Sequence, residues 1–314
     1  MKKIIGAIFL LIFINDQVSS QETKLSVPEL VVNSTIRIEC SGDTTVNGKK
    51  LRFASIGTGF YFLFEFDSLS LPVIVTNYHV IRKTDKCTLN FTESISNKPN
   101  YGSIITKTIN NSENPWIKHP KVDLAILPIN PIIQNIIKTE NKIPYYSYYT
   151  ENLLPTNKLL DSLTAIEEVL MIGYPKGLWD KTNNLPIVRK GITATPVYLD
   201  YEGTNQFLLD IPIYSGSSGS PVVLFNQGAF SSRTGVASIG NRIALLGINV
   251  ESWDYNAKGE LILPPDNSKV ETRTKLPINI AIIIKSEELL KFKPILKNLL
   301  DTNNKQQSIK QTIK

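Results

Sequence analysis

Residues 210–225, DIPIYSGSSGSPVVLF, place Gly216, Ser218 and Gly219 in a tight turn between two apolar runs. A nucleophilic serine needs such a turn. Its hydroxyl must project outward while nearby backbone N–H groups face the point where negative charge develops on a carbonyl oxygen, and glycine permits that backbone path. A flexible linker has the same Gly/Ser composition. A linker is not usually bracketed by runs such as QFLLDIPI and PVVLF, however, which favours the nucleophile. A hydrolase elbow, G-x-S-x-G, would require glycine where Ser220 stands and helices between parallel strands, and both requirements fail.

Serine alone is a weak nucleophile, so a base must come from elsewhere in the chain. Only His79 and His119 are available. His79 ends the apolar run PVIVTN, where a strand end would fix an imidazole. His119 lies in WIKHPKVDLAIL, in a loop entering a strand, and is the weaker candidate. Taken singly, His79 reads as a surface or core histidine and Asp123 as a turn aspartate. Yet Asp123 is the one acid directly leading the apolar run of that segment. Half buried, it could accept the imidazole N–H, fix its tautomer and stabilise the imidazolium.

The elements that must position these residues are short apolar or alternating runs bounded by Gly, Pro and Asn: TIRIEC, GFYFLFEF, PVIVTN, TLNF, DLAILPI, VLMIGYP, QFLLDIPI, PVVLF, IALLGINV and INIAIII. They read as strands, and long helical periods are scarce, so the fold is all-β, built as barrels or a sandwich. The clearest helical candidate is 286–300, with Leu289, Leu290, Leu296 and Leu299 on one side and Pro294 kinking or splitting it. Residues 131–165 have weak periodicity and read as the connection between two halves. Those after Asp301 carry too little apolar surface to fold and read as a disordered basic tail, 301–314.

Lys2 and Lys3 followed by an apolar run from Ile4 to Ile14 read as a secretory signal peptide over residues 1–20, with Val18 and Ser20 before a cut at Gln21. The run is too short to span a bilayer, so a secreted or periplasmic protein without a stable membrane span is expected. The net charge of +6 is no nucleic-acid signature. Six lysines against Asp301 sit in residues 291–314, and the body from 21 to 290 is balanced. Cys40 and Cys87 could pair in an oxidising compartment or remain small buried thiols. Two cysteines and two histidines are too few soft ligands to favour zinc, so no metal site is expected.

The segments TNYHV, VDLAIL and GSSGSP resemble the three signature blocks of the chymotrypsin/trypsin superfamily of serine proteases, especially its bacterial HtrA-like, trypsin-like peptidase branches. The stretch MIGYPKGLWDKTNNLPIVRKGITAT is similar to the turn and strand pair preceding the serine block in those enzymes, and the likeness covers about residues 30–290. This resemblance implies two six-stranded antiparallel β-barrels, roughly 30–130 and 165–285, within a protease domain at 21–300 that ends in a short helix. It implies a serine endopeptidase acting on polypeptide without a cofactor. Ser218 would be the nucleophile, His79 the base, Asp123 its orienting acid, and the N–H groups of Gly216 and Ser218 the oxyanion hole. Ile211, Pro212 and Ile213 before the turn, and Gly247, Ile248 and Asn249 on the later strand, would line the substrate site. Lacking a buried acid, it should prefer small or apolar side chains.

Two departures stand out. Ser217 occupies a position where relatives carry Asp or Asn. The aspartate of the digestive enzymes pairs with a newly cut N-terminus, and Ser217 cannot form that ion pair. The chain also ends too soon after Leu300 for the peptide-binding PDZ module of HtrA-type proteases. The rival reading is a catalytically weak or inactive binding protein on the same scaffold, since fold alone does not secure activity.

Overall fold

Alternation along the strands sorts apolar side chains into three cores, two inside the lobes and one between them. The computed structural model describes residues 25–46, 48–67, 69–263 and 268–312, so residues 1–20, read as a signal peptide, lie outside the described residues. After a capped turn of helix, α1 (Val27–Val32), the first lobe is built from β1 (Thr35–Val46), β2 (Lys49–Phe66), β3 (Leu69–Thr76), helix α2 (Tyr78–Ile81), β4 (Lys86–Ile95), β5 (Lys98–Asn110), β6 (Ile117–Lys118) and β7 (Ala125–Pro128). Helix α3 (Asn130–Glu140), strands β8 (Pro144–Tyr145) and β9 (Tyr149–Thr150) and helix α4 (Asn157–Ser162) follow. The second lobe comprises β10 (Glu168–Gly173), β11 (Ile187–Thr193), β12 (Gln206–Asp210), β13 (Pro221–Ser231), β14 (Ala237–Leu263) and β15 (Ser268–Lys285).

The second lobe closes as a six-stranded barrel in the order β10-β11-β12-β15-β14-β13. The first is a nine-stranded sheet with the path β5-β4-β1-β2-β3-β7-β6, β8 pairing with β4 and β9 running parallel to β2. The two extra strands come from the segment read as a connection. There Tyr149 is buried and meets Phe60 edge-on at 5.7 Å, so aromatic residues that look like loop composition bring the chain back onto the sheet. The same segment holds an eleven-residue helix, α3, that its weak overall pattern does not announce. Ile129, Ile133 and Ile136 recur at helical spacing and bury against the first core.

Side chains on β2, β3 and β7 alternate. Tyr61, Ile74, Ala125 and Leu127 point into the first lobe's own core, while Phe60, Phe62, Phe64, Val73, Val75 and Ile126 face the seam. The second barrel mirrors this, with Met171, Val222, Leu224 and Ile283 inside and Ile172, Val223, Leu245 and Ile284 on the seam. Strands buried on both faces read as continuous apolar runs, as found in the sequence.

The C-terminal element covers the seam. A 3₁₀ turn (Ser286–Phe292) buries Leu289 and Phe292, then helix α5 (Lys293–Thr312) begins with Pro294 in its first turn and buries Leu296. Proline is tolerated there because the first turn of a helix makes no backbone bond through that N–H. Helix α5 runs past Asp301 into the stretch read as a disordered tail, where lysine and glutamine are compatible with helix. Among the described residues no helix is long and apolar enough to cross a membrane.

Cys40 on β1 and Cys87 on β4 stand opposite in register with Cα atoms 3.9 Å apart and form a disulfide. The bond joins positions 47 residues apart. Replacing both cysteines by alanine should lower the unfolding free energy by about 2–4 kcal/mol, measured by urea titration of the oxidised protein and the variant. An unchanged midpoint would show that the sheet holds this register unaided.

Candidate active site

β3 ends at Thr76 and the chain turns directly into α2, whose Val80 and Ile81 bury in the first core and so anchor the turn that carries His79. Asp123 sits just before β7. The loop ahead of it folds around His119, whose Nδ1 accepts the N–H groups of Lys121 and Val122 at 3.2 and 3.0 Å, while its own N–H donates to the Leu124 carbonyl at 2.9 Å. His119 is therefore a buried loop-former rather than a base. With Nδ1 accepting, the proton of the neutral ring is on Nε2, which stands 3.4 Å from Glu288 Oε2.

The Asp123 carboxylate takes two hydrogen bonds from His79, from the ring Nδ1 to Oδ2 at 2.5 Å and from the backbone N–H to Oδ1 at 3.0 Å. An ionised carboxylate only accepts, so Nδ1 carries the proton and Nε2 is left as a proton acceptor. Burial alone would raise the pKa of Asp123. The hydrogen bonds and charge of His79, with the charge of Arg82, outweigh it and hold the carboxyl below its ordinary value. Asn77, fully buried, donates to the Asp123 carbonyl at 2.9 Å and ties the two segments together.

The turn that carries Ser218 belongs to the second barrel yet is held by the first lobe. Thr58, fully buried on β2, donates its N–H to the Ser218 carbonyl at 2.8 Å and its hydroxyl to the Gly216 carbonyl at 2.9 Å. The same hydroxyl accepts from the Tyr174 N–H at 3.1 Å and lies 3.2 Å from Ser220 Oγ. On the other side Asn249 donates its side-chain amide to the Ser217 carbonyl and accepts the Gly219 N–H. Gly216 and Gly219 have φ of 92° and 84°, and a Cβ on either would overlap the Tyr174 or the Thr58 carbonyl. From Gly216 to Ser220 every backbone N–H has a partner among the described residues except those of Gly216 and Ser218. These are the two donors expected to form the oxyanion hole.

Thr58 was not among the residues singled out from sequence. In GTGF it reads as an ordinary β-forming threonine, and only the two flanking glycines hint at another backbone lying close.

His79, Asp123 and Ser218 line one cleft of ≈620 Å³ along the seam, with Arg82, Lys118, Lys121, Ile213, Tyr214, Ser215, Asn249 and Val250 among its walls. Ser218 Oγ donates to the Val250 carbonyl at 3.3 Å. Of the residues proposed to bind substrate, Ile213 and Asn249 line this cleft. Ile211, just past the end of β12, and Ile248, on β14, bury in the barrel and seam cores respectively. Gly247 lies in the β14 ladder against the Ile284 carbonyl, and Pro212 is exposed.

Two all-β lobes with a hydroxyl, an imidazole–carboxylate pair and two open N–H donors along their seam have the makings of an acyl-transfer hydrolase. Residues 57–230, more than half of the chain, match the family model of the trypsin-like peptidase domain, and the chain belongs to that family. Its class is accordingly a protease of the trypsin-like kind. None of the curated proteins matches. Among solved structures the chain is similar to Rv3671c from M. tuberculosis H37Rv, as a serine-to-alanine mutant in an inactive form, at 13% identity over 84% of this chain and 86% of that chain, TM-score 0.37. It is also similar to the Rv3671c protease, inactive form, at 15% identity over 84% and 90%, TM-score 0.37. A thermostable serine protease, AL20, from an extremophilic microorganism aligns at 12% identity over 81% and 91%, TM-score 0.39. Likeness at this level adds nothing to the family assignment.

Thr58→Val should keep the seam apolar and remove the hydroxyl from the Gly216 carbonyl. Turnover is expected to fall about 10- to 100-fold with KM changed far less, and steady-state kinetics showing both unchanged would remove Thr58 from the site. Stability should also fall on acidification. Burial lowers the pKa of His119 against the opposing pull of Glu288. Its contribution is thus complete above the unfolded value near 6.5 and lost as pH falls through the lower folded one. Asp123, also lowered, adds a further loss below about pH 4. Tm measured against pH should begin to drop as pH falls below about 6.5, and His119→Asn should flatten that first drop; an equally steep profile in the variant would assign it elsewhere.

Proposed function

We propose that this chain is a secreted or periplasmic serine endopeptidase that hydrolyses polypeptides through an acyl-enzyme. The observation that carries the reading is the double engagement of Asp123 by His79 on the same cleft as Ser218, beside the two open N–H groups. Ser218 attacks the scissile carbonyl after its hydroxyl turns from Val250 toward the imidazole, His79 Nε2 takes the proton, and Asp123 stabilises the imidazolium. The N–H groups of Gly216 and Ser218 hold the oxyanion; loss of one such donor costs about 2.7–4 kcal/mol of barrier lowering. His79 then returns the proton to the leaving amine, and water, activated by the same imidazole, releases the acyl group. The reaction as proposed uses no cofactor.

Val250 sits at a register shift between β14 and β15, which leaves its backbone outside the regular ladder and suited to pairing with an extended peptide. Ile213 offers an apolar wall for the side chain before the cut, consistent with a small or apolar preference. The rival binding-protein reading draws on one observation, the Ser218 hydroxyl directed at Val250 instead of His79. Catalytic hydrogen bonds are commonly long or misaligned before substrate binds, so this orientation alone does not favour the rival.

A fluorophosphonate probe should label the wild type and not Ser218→Ala, with labelling of His79→Ala at least about 10³-fold slower and kcat of Asp123→Asn about 10⁴-fold lower. Equal labelling of wild type and Ser218→Ala would sink the nucleophile assignment, and no labelling of any form would favour the binding protein. A peptide-library profile dominated by basic residues before the cut would overturn the apolar preference. Export is checked by N-terminal sequencing of protein recovered outside the cytoplasm, which should begin at Gln21.

A further inference from the structure

Ser217 leaves open what holds the middle of the nucleophile turn, since it carries no charge to pair with another group. The group that meets it is Arg189, on β11 opposite Met171. Arg189 Nη2 donates to Ser217 Oγ at 2.8 Å, and Nη1 donates to the Pro212 carbonyl. Nη2 also meets Met171 Sδ at 3.4 Å. Ser217 is fully buried, and among the described residues its hydroxyl is approached otherwise only by the Tyr214 N–H, at 3.5 Å. Among the described residues no carboxylate lies within ion-pair distance of Arg189 and its Nε has no partner. Burial lowers its pKa, as for a cation taken from water without a counter-charge. Such a group is costly to bury, and its acceptors are neutral atoms, two of them at the two ends of one short segment, 212–217. A planar fork bridges two acceptors at fixed separation, which an ammonium does not.

We propose that Arg189 is a positioning residue that clamps Pro212 to Ser217 and thereby keeps the N–H groups of Gly216 and Ser218 aimed at the substrate carbonyl. This rests on the serine-endopeptidase reading above. The clamp lies within the folded barrel, so the turn is ordered from inside the domain, without the charge pair that a newly cut N-terminus supplies in the digestive enzymes.

The test compares wild type, Arg189→Ala, Arg189→Lys, Ser217→Ala and the double variant. In Arg189→Ala kcat should fall about 10- to 100-fold with KM within about threefold, and guanidinium at tens of millimolar should restore much of it. Arg189→Lys should lie between, Ser217→Ala should reproduce part of the loss, and the double variant should be no worse than Arg189→Ala alone. Amide hydrogen exchange across 213–218 should be at least about tenfold faster in Arg189→Ala, with the barrel strands unchanged. Unaltered kcat, additive losses without guanidinium rescue, or unaltered exchange in this segment would overturn the proposal. If the wild type takes no fluorophosphonate label, the endopeptidase reading fails on its own, and the exchange comparison still decides the clamp. If Arg189→Ala does not fold, Ser217→Ala and Arg189→Lys decide it by the same readouts.

Discussion

Two carbonyls of the Ser218 turn, those of Gly216 and Ser218, reach across the seam to Thr58, and this contact sets where the turn sits. The seam core supplies the attraction between lobes through Phe60, Val75, Val223 and Ile284, but hydrophobic burial has no direction and would accept several registers. The Thr58 bonds supply the direction. A buried carbonyl or amide left without a partner costs about 1–3 kcal/mol, so a docking that misplaced the turn by one residue would forfeit several such bonds at once. Lobe docking therefore fixes where the Ser218 turn sits on β2. The two open donors share peptide planes with the Ser215 and Ser217 carbonyls, which accept the Lys176 N–H at 2.5 Å and the Asn249 side-chain amide at 2.9 Å, so both planes are held before substrate arrives.

Asp123 and His79 are secured by a second connection. His119 shapes the loop ahead of Asp123, and its far nitrogen stands beside Glu288 in the turn that leads to α5. Burial pushes the Glu288 carboxyl up, but Lys291, Asn205 and His119 outweigh it and keep its pKa lowered. Asn205 belongs to the second lobe, so one small cluster joins the Asp123 loop, the barrel and the C-terminal turn. The C-terminal segment thus does more than cover apolar surface, since it braces the loop that orients His79.

The apolar strand runs, the split at Pro294 and the three chemistry-bearing segments were legible in the sequence because each carries a local cause: alternation, a missing N–H, or glycines flanking a hydroxyl. What was illegible depends on which surfaces meet. Thr58 looks like any strand threonine until the turn is docked on it, and Arg189 looks like one more surface cation on an exposed strand. Ile211 and Ile248 were placed at the substrate because they neighbour the right segments in sequence, yet both bury in the cores. Helix α3 was obscured by Pro131 and Asn135 among its isoleucines, and the two short strands that the connecting segment adds to the first lobe, β8 against β4 and β9 against β2, carry tyrosines that read as loop composition.

The central claim is that side chains and amides from two separately built lobes converge on one reacting atom. A crystal structure of the protein after reaction with a small fluorophosphonate tests it most directly. The account predicts phosphorus bonded to Ser218 Oγ, one phosphonyl oxygen within hydrogen-bond distance of both the Gly216 and Ser218 N–H groups, His79 Nε2 on the opposite side, and Thr58 still bound to the turn. An adduct whose oxygen points away from those two amides, or a turn that leaves Thr58 to form it, would contradict the account.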